Sequence, residues 1–232
     1  MVMAAGRGTR MRPLTDTCPK AMVEVCGKPL IDWTLDKFAE AGVARAVVNV
    51  HHYADMLEDH ICGRDGPEIV ISDERETLLE TGGGLVKAAP LLGDDPVFVA
   101  NSDSVWIEEG DKSELERLEA AFDPEIMDYL LMLAPIERQL GYRGPGDFLL
   151  HADGRIERRG ERESAPLVYA GVQVMHPRLL EGEPEEVFST NKLWDKALKA
   201  SRVFGLTMES YWMHVGDPDA KTEAENRLGC RP

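Results

Sequence analysis

Three stretches of this chain hold residue types whose spacing could do chemistry on phosphates. The first reads Ala4-Ala5-Gly6-Arg7-Gly8-Thr9-Arg10-Met11-Arg12-Pro13-Leu14-Thr15, with Pro19-Lys20 after it. Glycines following a strand let backbone N–H groups turn toward an anion with no Cβ in the way, and Arg10, Arg12 and Lys20 add full charges. A triphosphate would be surrounded there. The spacing meets neither GxxxxGK[ST] nor GxGxxG, so neither a Walker loop nor a dinucleotide turn is implied. The second stretch, Glu80-Thr81-Gly82-Gly83-Gly84, stands between a strand and a helix. Its glycines would let a flat base lie against the backbone, beside the unpaired N–H groups of a helix start. The third, Val97 to Asp103, is an apolar strand ending in a carboxylate. Open α/β sheets bind ligands at the carboxyl ends of their strands, which suits Asp103. Asn101, two residues earlier on the same side, is a candidate substrate contact.

The elements that must hold these residues can be read from periodicity. A short apolar strand over residues 2–5 runs into the first loop. With so few residues, either that strand is short or the natural chain begins upstream of Met1. Leu30, Trp33, Thr34, Phe38 and Ala41 recur at helical spacing before Gly42, which predicts a helix over 29–41. Strand 45–50, helix 54–61, strand 68–72, helix 83–92 and strand 96–101 follow. That alternation implies right-handed βαβ units and a mostly parallel sheet with helices on both faces. Beyond residue 101 the pattern changes to strands at 129–136 and 168–175, a hairpin of 148–151 and 155–158 turning at Asp153-Gly154, and helices at 193–200 and 219–228. A mixed α/β sheet with an inserted antiparallel portion is expected. It forms one domain, residues 1–105 serving one part and 106–232 the other.

Composition narrows the partners. The 232 residues carry a formal charge of −16, which argues against a sequence-independent grip on nucleic acid or anionic lipid. No apolar run approaches the roughly 20 residues a membrane span needs, and no signal peptide is apparent. A cytoplasmic protein acting on small molecules, as monomer or homodimer, is the expectation. Cys18, Cys26, Cys62 and Cys230 lack CxxC spacing, so no zinc or redox site is suggested and reduced thiols are expected.

The first loop closely resembles the Ala-Ala-Gly-x-Gly-x-Arg-Met-x-Pro-Leu-Thr signature and Pro-Lys pair of the sugar nucleotidyltransferases, and the resemblance extends along the chain. It implies a Rossmann-like nucleotidyltransferase fold in which residues 1–105 bind nucleotide and 106–232 bind the sugar. It implies further that the loop backbone, at Ala4, Ala5, Gly6 and Gly8, and Arg10 hold the β and γ phosphates. Lys20 would contact the reacting phosphates, Thr81, Gly82 and Gly83 would read the base, and Asp103 would ligate Mg²⁺. Gly141, Tyr142 and Gly171, within Leu140-Gly-Tyr-Arg-Gly144 and Tyr169-Ala-Gly-Val-Gln173, match in order segments that face the sugar phosphate, beside Asn101. The residue after Pro-Lys is Ala21 where the family has proline.

A second metal aspartate in the family comes from Trp-x-Asp-x-Gly, and here Trp212-Met-His-Val-Gly216 puts His214 at that position. Three readings follow: Asp103 holds Mg²⁺ with waters and phosphates, His214 ligates a softer ion such as Mn²⁺, or Asp217 swings in. The first suits Mg²⁺, a hard cation that keeps several waters. Among the branches, Leu-Glu-Thr-Gly-Gly-Gly, the Phe188 to Trp194 segment and His-Val-Gly resemble the N-acetylmuramate-1-phosphate uridylyltransferases. That implies UTP as donor and N-acetylmuramate 1-phosphate as acceptor. Mannose- or heptose-1-phosphate guanylyltransferases share the phosphate-binding features and stay open, as does a catalytically silent sugar-nucleotide-binding subunit, which the substitution at His214 motivates.

Overall fold

Short β-branched strands alternating with amphipathic helices build the first hundred residues. In the computed structural model, which describes residues 1–230, these are β1 (Val2–Met3), a hairpin of β2 (Glu24–Val25) and β3 (Lys28–Pro29), α1 (Leu30–Glu40), β4 (Arg45–Val50), α2 (Ala54–Ile61), β5 (Glu68–Asp73), α3 (Glu80–Leu92) and β6 (Val97–Asn101). β6, β1, β4 and β5 lie side by side and parallel. The later residues give β7 (Ser104–Ile107), α4 (Glu114–Ala121), β8 (Tyr129–Pro135), β9 (Gln139–Leu140), β10 (Phe148–Leu150), β11 (Ile156–Arg158), β12 (Leu167–Met175), α5 (Asn191–Lys199), β13 (Val203–Thr207), β14 (Tyr211–His214) and α6 (Pro218–Leu228).

β12 joins the two halves. It runs antiparallel to β6 on one side and to β8 on the other, while its first residue pairs with β10. Hydrogen-bonded neighbours run β11-β10-β12-β6-β1-β4-β5, and β8 pairs with β12 and carries β13 on its far edge. The expected mixed, largely parallel α/β sheet with an antiparallel portion is what the chain forms. A register shift in β12 between Tyr169 and Gln173 carries Gly171 at φ +77°, a backbone state that favours glycine. A separate sheet, β7-β14-β9, stands over the carboxyl end of β6. It is tied to β12 by the Ser104 hydroxyl, which donates to Ala170 O and itself accepts from Trp212 Nε1 at 2.8 Å.

Apolar side chains bury both faces. Leu35, Phe38, Leu57, Ile61 and Leu118 cover one, Leu85, Leu92, Leu193 and Trp194 the other. A third cluster of Met11, Val25, Leu30, Met213 and Ala224 ties the first loop, the β2–β3 hairpin, β14 and α6 together. There Cys26 and Cys230 form a disulfide with Cα atoms 5.5 Å apart, which corrects the expectation of reduced thiols for this pair. The two lie 204 residues apart, and only the packing of α6 on the hairpin, including Cys26 N–H donating to Glu225 Oε1, brings them together. Cys18 and Cys62 are free.

α4 is not among the elements expected from periodicity, although Ser113-x-x-Glu116 precedes its apolar positions. The two residues form a capping box: Ser113 Oγ accepts from Glu116 N, and Glu116 Oε2 accepts from Ser113 N. Ser113→Ala is expected to cost about 1 kcal/mol in urea unfolding and to leave turnover unchanged.

Candidate active site

The first loop is braced from beneath. Met11 is fully buried between the exposed Arg10 and Arg12 and anchors the loop to the third cluster. Gly8 sits at φ +61°, and a Cβ there would stand 2.8 Å from Lys20 Cβ and 2.9 Å from Thr15 Cγ2. Only glycine lets the loop close on the residues that support it, and Thr15 Oγ1 donates to Gly8 O at 2.8 Å. Arg12 pairs with Asp16 at 3.3 Å on the surface, whereas Arg10 pairs with none of the described residues. Ala4, Ala5 and Gly6 line a cavity of about 390 Å³ together with Lys20, Thr81, Asn101 and Asp103.

A buried polar chain fixes where that loop begins. Asn49 Oδ1 accepts from Ala4 N at 2.7 Å and Ala5 N at 3.3 Å, and Asn49 Nδ2 donates to Glu74 Oε1 at 2.7 Å. Glu74 Oε2 in turn accepts from Leu79 N at 3.0 Å. Asn49 and Glu74 are 2% and 0% exposed, and neither was singled out in the sequence, where Asn49 reads as one more residue of a buried strand. The amides of Ala4 and Ala5 are therefore spent inside the protein, and the donors left for a phosphate begin at Gly6.

The Gly-rich stretch differs from the sequence expectation. Residues 80–84 lie inside α3, and Gly82 N and Gly83 N donate to Phe188 O at 2.8 and 3.2 Å. A Cβ on Gly83 would come within 2.0 Å of Glu186 O, and one on Gly82 within 2.4 Å of the Phe188 ring. These two glycines admit the 186–190 segment against the helix start and do not line the cavity. Thr81 does, and its Oγ1 accepts from Thr190 N at 2.9 Å.

Asp103 is the centre of the arrangement. It stands between β6 and β7 and borders both the loop cavity and a second one of about 370 Å³. Lys20 Nζ donates to Asp103 Oδ2, and His214 Nε2 lies 3.2 Å from the same oxygen. The Asp103 and Lys20 side chains are only 15% and 13% exposed. Burial alone would raise the Asp103 pKa, but the Lys20 ammonium and the His214 hydrogen bond outweigh it and hold the carboxyl well below the usual range. His214 stacks on Trp212 at 5.9 Å, so its ring is held with Nε2 directed at Asp103. Asp217 faces the other way in function: its Oδ1 accepts from Ala220 N at 2.8 Å as the N-cap of α6.

The second cavity gathers Asn101, Tyr142 and Gly171, three of the four residues that the family resemblance assigns to the sugar phosphate. Tyr142 OH donates to Asp147 Oδ1 and accepts from Gly146 N, both at 3.1 Å, and burial together with the Asp147 charge pushes its pKa up, leaving a neutral phenol. Gly141 does not reach this cavity. A Cβ on it would stand 2.1 Å from His214 O, so it serves the close approach of β9 to β14 behind the site. Trp194, from the segment that carries the family resemblance, lines the cavity too, as do Asp147 and Arg158, which no sequence motif marks because they are scattered over the antiparallel insertion.

Residues 1–142 match the family model described as nucleotidyl transferase. The chain belongs to the nucleotidyl transferase family. An N-acetylmuramate alpha-1-phosphate uridylyltransferase of Caulobacter vibrioides is 51% identical over 98% of this chain and 96% of its own. One of Neisseria meningitidis serogroup B is 32% identical, over 99% and 98%. Among solved structures, a UDP-glucose pyrophosphorylase complexed with UDP-glucose superposes with a TM-score of 0.79 at 18% identity, covering 98% of this chain and 97% of that one, which speaks for the fold. The matched residues of this nucleotidyl transferase run from the first loop through Asp103 to Tyr142. No helix among its described residues is long and apolar enough to cross a membrane.

Proposed function

We propose that this nucleotidyl transferase moves a uridylyl group from UTP to N-acetylmuramate 1-phosphate, releasing pyrophosphate, in the cytoplasm where nucleoside triphosphates are made available. The observation that carries the reading is Asp103, the carboxylate shared by both cavities and held by Lys20. A donor in the first cavity and an acceptor in the second would meet there. The near-full-length relatives named as N-acetylmuramate alpha-1-phosphate uridylyltransferases support the choice of substrates.

The acceptor phosphate oxygen is anionic near neutral pH, so it attacks the α-phosphorus without a general base, and the bond to pyrophosphate breaks in line. Catalysis is then positioning and charge stabilisation. Lys20 supplies charge at the reacting phosphates, Arg10 at the leaving pyrophosphate, and Asn101 and Gly171 border the acceptor.

The donor set suits Mg²⁺. Asp103 Oδ2 is occupied by Lys20 and His214, while Oδ1 accepts no hydrogen bond from a described residue. No group of three or more His, Cys, Asp or Glu side chains is gathered among the described residues. One free carboxylate oxygen fits a cation that keeps most of its waters, and His214 Nε2 is committed to Asp103. Bound at Asp103, Mg²⁺ would neutralise phosphate charge during transfer.

Pyrophosphate release, measured with each nucleoside triphosphate, Mg²⁺ and a panel of sugar 1-phosphates, tests the reading. Release confined to UTP with N-acetylmuramate 1-phosphate is expected. GTP with a mannose or heptose phosphate would reassign the substrates, and silence with both Mg²⁺ and Mn²⁺ would leave a binding protein.

A further inference from the structure

We propose that Arg158 is the specificity residue of the acceptor cavity and takes a carboxylate carried on the sugar ring. The proposal rests on the uridylyl-transfer reading and deepens it. Arg158 ends β11 and, among the described residues, is the only Lys or Arg lining the cavity that Asp103 and Tyr142 share. The anionic side chain nearest in kind, Asp147, is spent internally: Oδ1 accepts from Tyr142 OH and Oδ2 from Tyr169 N. An acceptor that brings a carboxylate as well as its phosphate therefore meets one fixed cation.

The guanidinium is organised for that task. It lies over the Phe148 and Trp194 rings, 5.6 and 5.8 Å from their centroids. Nε donates to Asp195 Oδ1 at 2.6 Å and Nη2 to Asn191 Oδ1 at 2.9 Å. Nη1 donates to no described residue, and the side chain is 35% exposed, so one edge of the fork stays open. Asp195 is 53% exposed and its attraction is screened by water, so the pair leaves charge for a second carboxylate. A guanidinium has five donors in a rigid plane and can hold two carboxylates at once.

The placement also suits this role. β10 and β6 occupy the same edge of β12, β10 at Leu167 and β6 at Val172–Met175, and β6 runs toward the Leu167 end, where Phe148 pairs with Arg158. Arg158 and Asp103 therefore line one cavity, where a pyranose with its phosphate at Asp103 can direct a carboxylate on an ether arm, as in muramate, toward the guanidinium.

The test compares Arg158→Gln, Arg158→Lys and Asp195→Asn with the wild type on two acceptors, N-acetylmuramate 1-phosphate and N-acetylglucosamine 1-phosphate. The second is the same sugar without the carboxylate arm. Wild-type kcat/KM is expected to favour the carboxylated acceptor. In Arg158→Gln the ratio of the two values should fall about 10- to 100-fold through KM, the scale of one hydrogen-bonded charge pair. Arg158→Lys should retain part of the preference, and Asp195→Asn, which breaks the same surface pair without removing the cation, should keep it within about twofold. Calorimetry with each sugar phosphate and no nucleotide gives a readout apart from turnover, and the wild type should bind the carboxylated one more tightly by a margin that Arg158→Gln removes. Equal losses on both acceptors, an unchanged ratio, or matching effects of Arg158→Gln and Asp195→Asn would overturn the proposal. Turnover of UTP with both sugars at equal efficiency would overturn it while leaving uridylyl transfer standing. Silence with UTP and every sugar phosphate would instead remove the reading beneath it.

Discussion

Lys20→Ala and Asp103→Asn are each expected to lower kcat by about 10³-fold while the protein still folds. Removing one preorganised group that faces developing charge typically costs 10²- to 10³-fold, and here both groups act at one point. The two share a hydrogen bond at a site that borders both cavities, so losing either also releases the other from its position. Folding should survive because both side chains line solvent-accessible cavities and neither belongs to the apolar clusters. The Asp103 carboxyl has a folded pKa well below its ordinary 3.8, so its contribution to stability is present above that value and fades as pH falls beneath it. In metal-free protein, urea midpoints of the wild type should therefore drop below about pH 4, and Asp103→Asn should show a shallower drop. Near-normal turnover by Lys20→Ala would sink the catalytic assignment. A shared loss of helical signal in both variants would mean that the pair is structural.

How much of this could be read from residues alone divides by physical cause. Elements whose signal is local were legible: the helices at 30–40 and 54–61 and the strands at 45–50 and 68–73 follow from apolar periodicity, and the Asp153-Gly154 turn from its residue types. The loop from Gly6 to Arg12 and the strand-end carboxylate of Asp103 were legible for the same reason, since each is a contiguous string. What depended on distant contact was not. Gly82 and Gly83 are needed where another segment approaches within van der Waals distance, which looks in sequence like a loop that cradles a ligand. Gly141 is a similar case, its partner being the backbone of His214. The Cys26–Cys230 bond joins opposite ends of the chain, and Arg158 acquires its setting from Asn191 and Asp195, more than thirty residues away.

Asn49 shows how far such a long-range contact can govern the site. Asn49→Ala is expected to lower stability by about 3 kcal/mol or more, because it leaves the amides of Ala4 and Ala5 and one oxygen of the Glu74 carboxylate without partners in a buried setting. Each such loss costs about 1–3 kcal/mol, more for a charged group. For a chain of this size that corresponds to a fall in Tm of roughly 6–12 °C. The same change frees the start of the phosphate loop, so KM for the nucleotide should rise about 10-fold at temperatures where the variant is fully folded. Asn49→Asp separates the two effects. It keeps an acceptor for Ala4 and Ala5 but sets a second carboxylate against Glu74 Oε1, 2.7 Å from the present amide nitrogen. Losing the amide donor and facing like charges there should lower the stability of Asn49→Asp in urea unfolding, with the loop still in place and KM for the nucleotide near that of the wild type. If Asn49→Ala lowers Tm and leaves KM for the nucleotide untouched, the loop holds its shape through Met11, Thr15 and Lys20 alone, and the buried chain from Asn49 to Leu79 serves stability without serving the site.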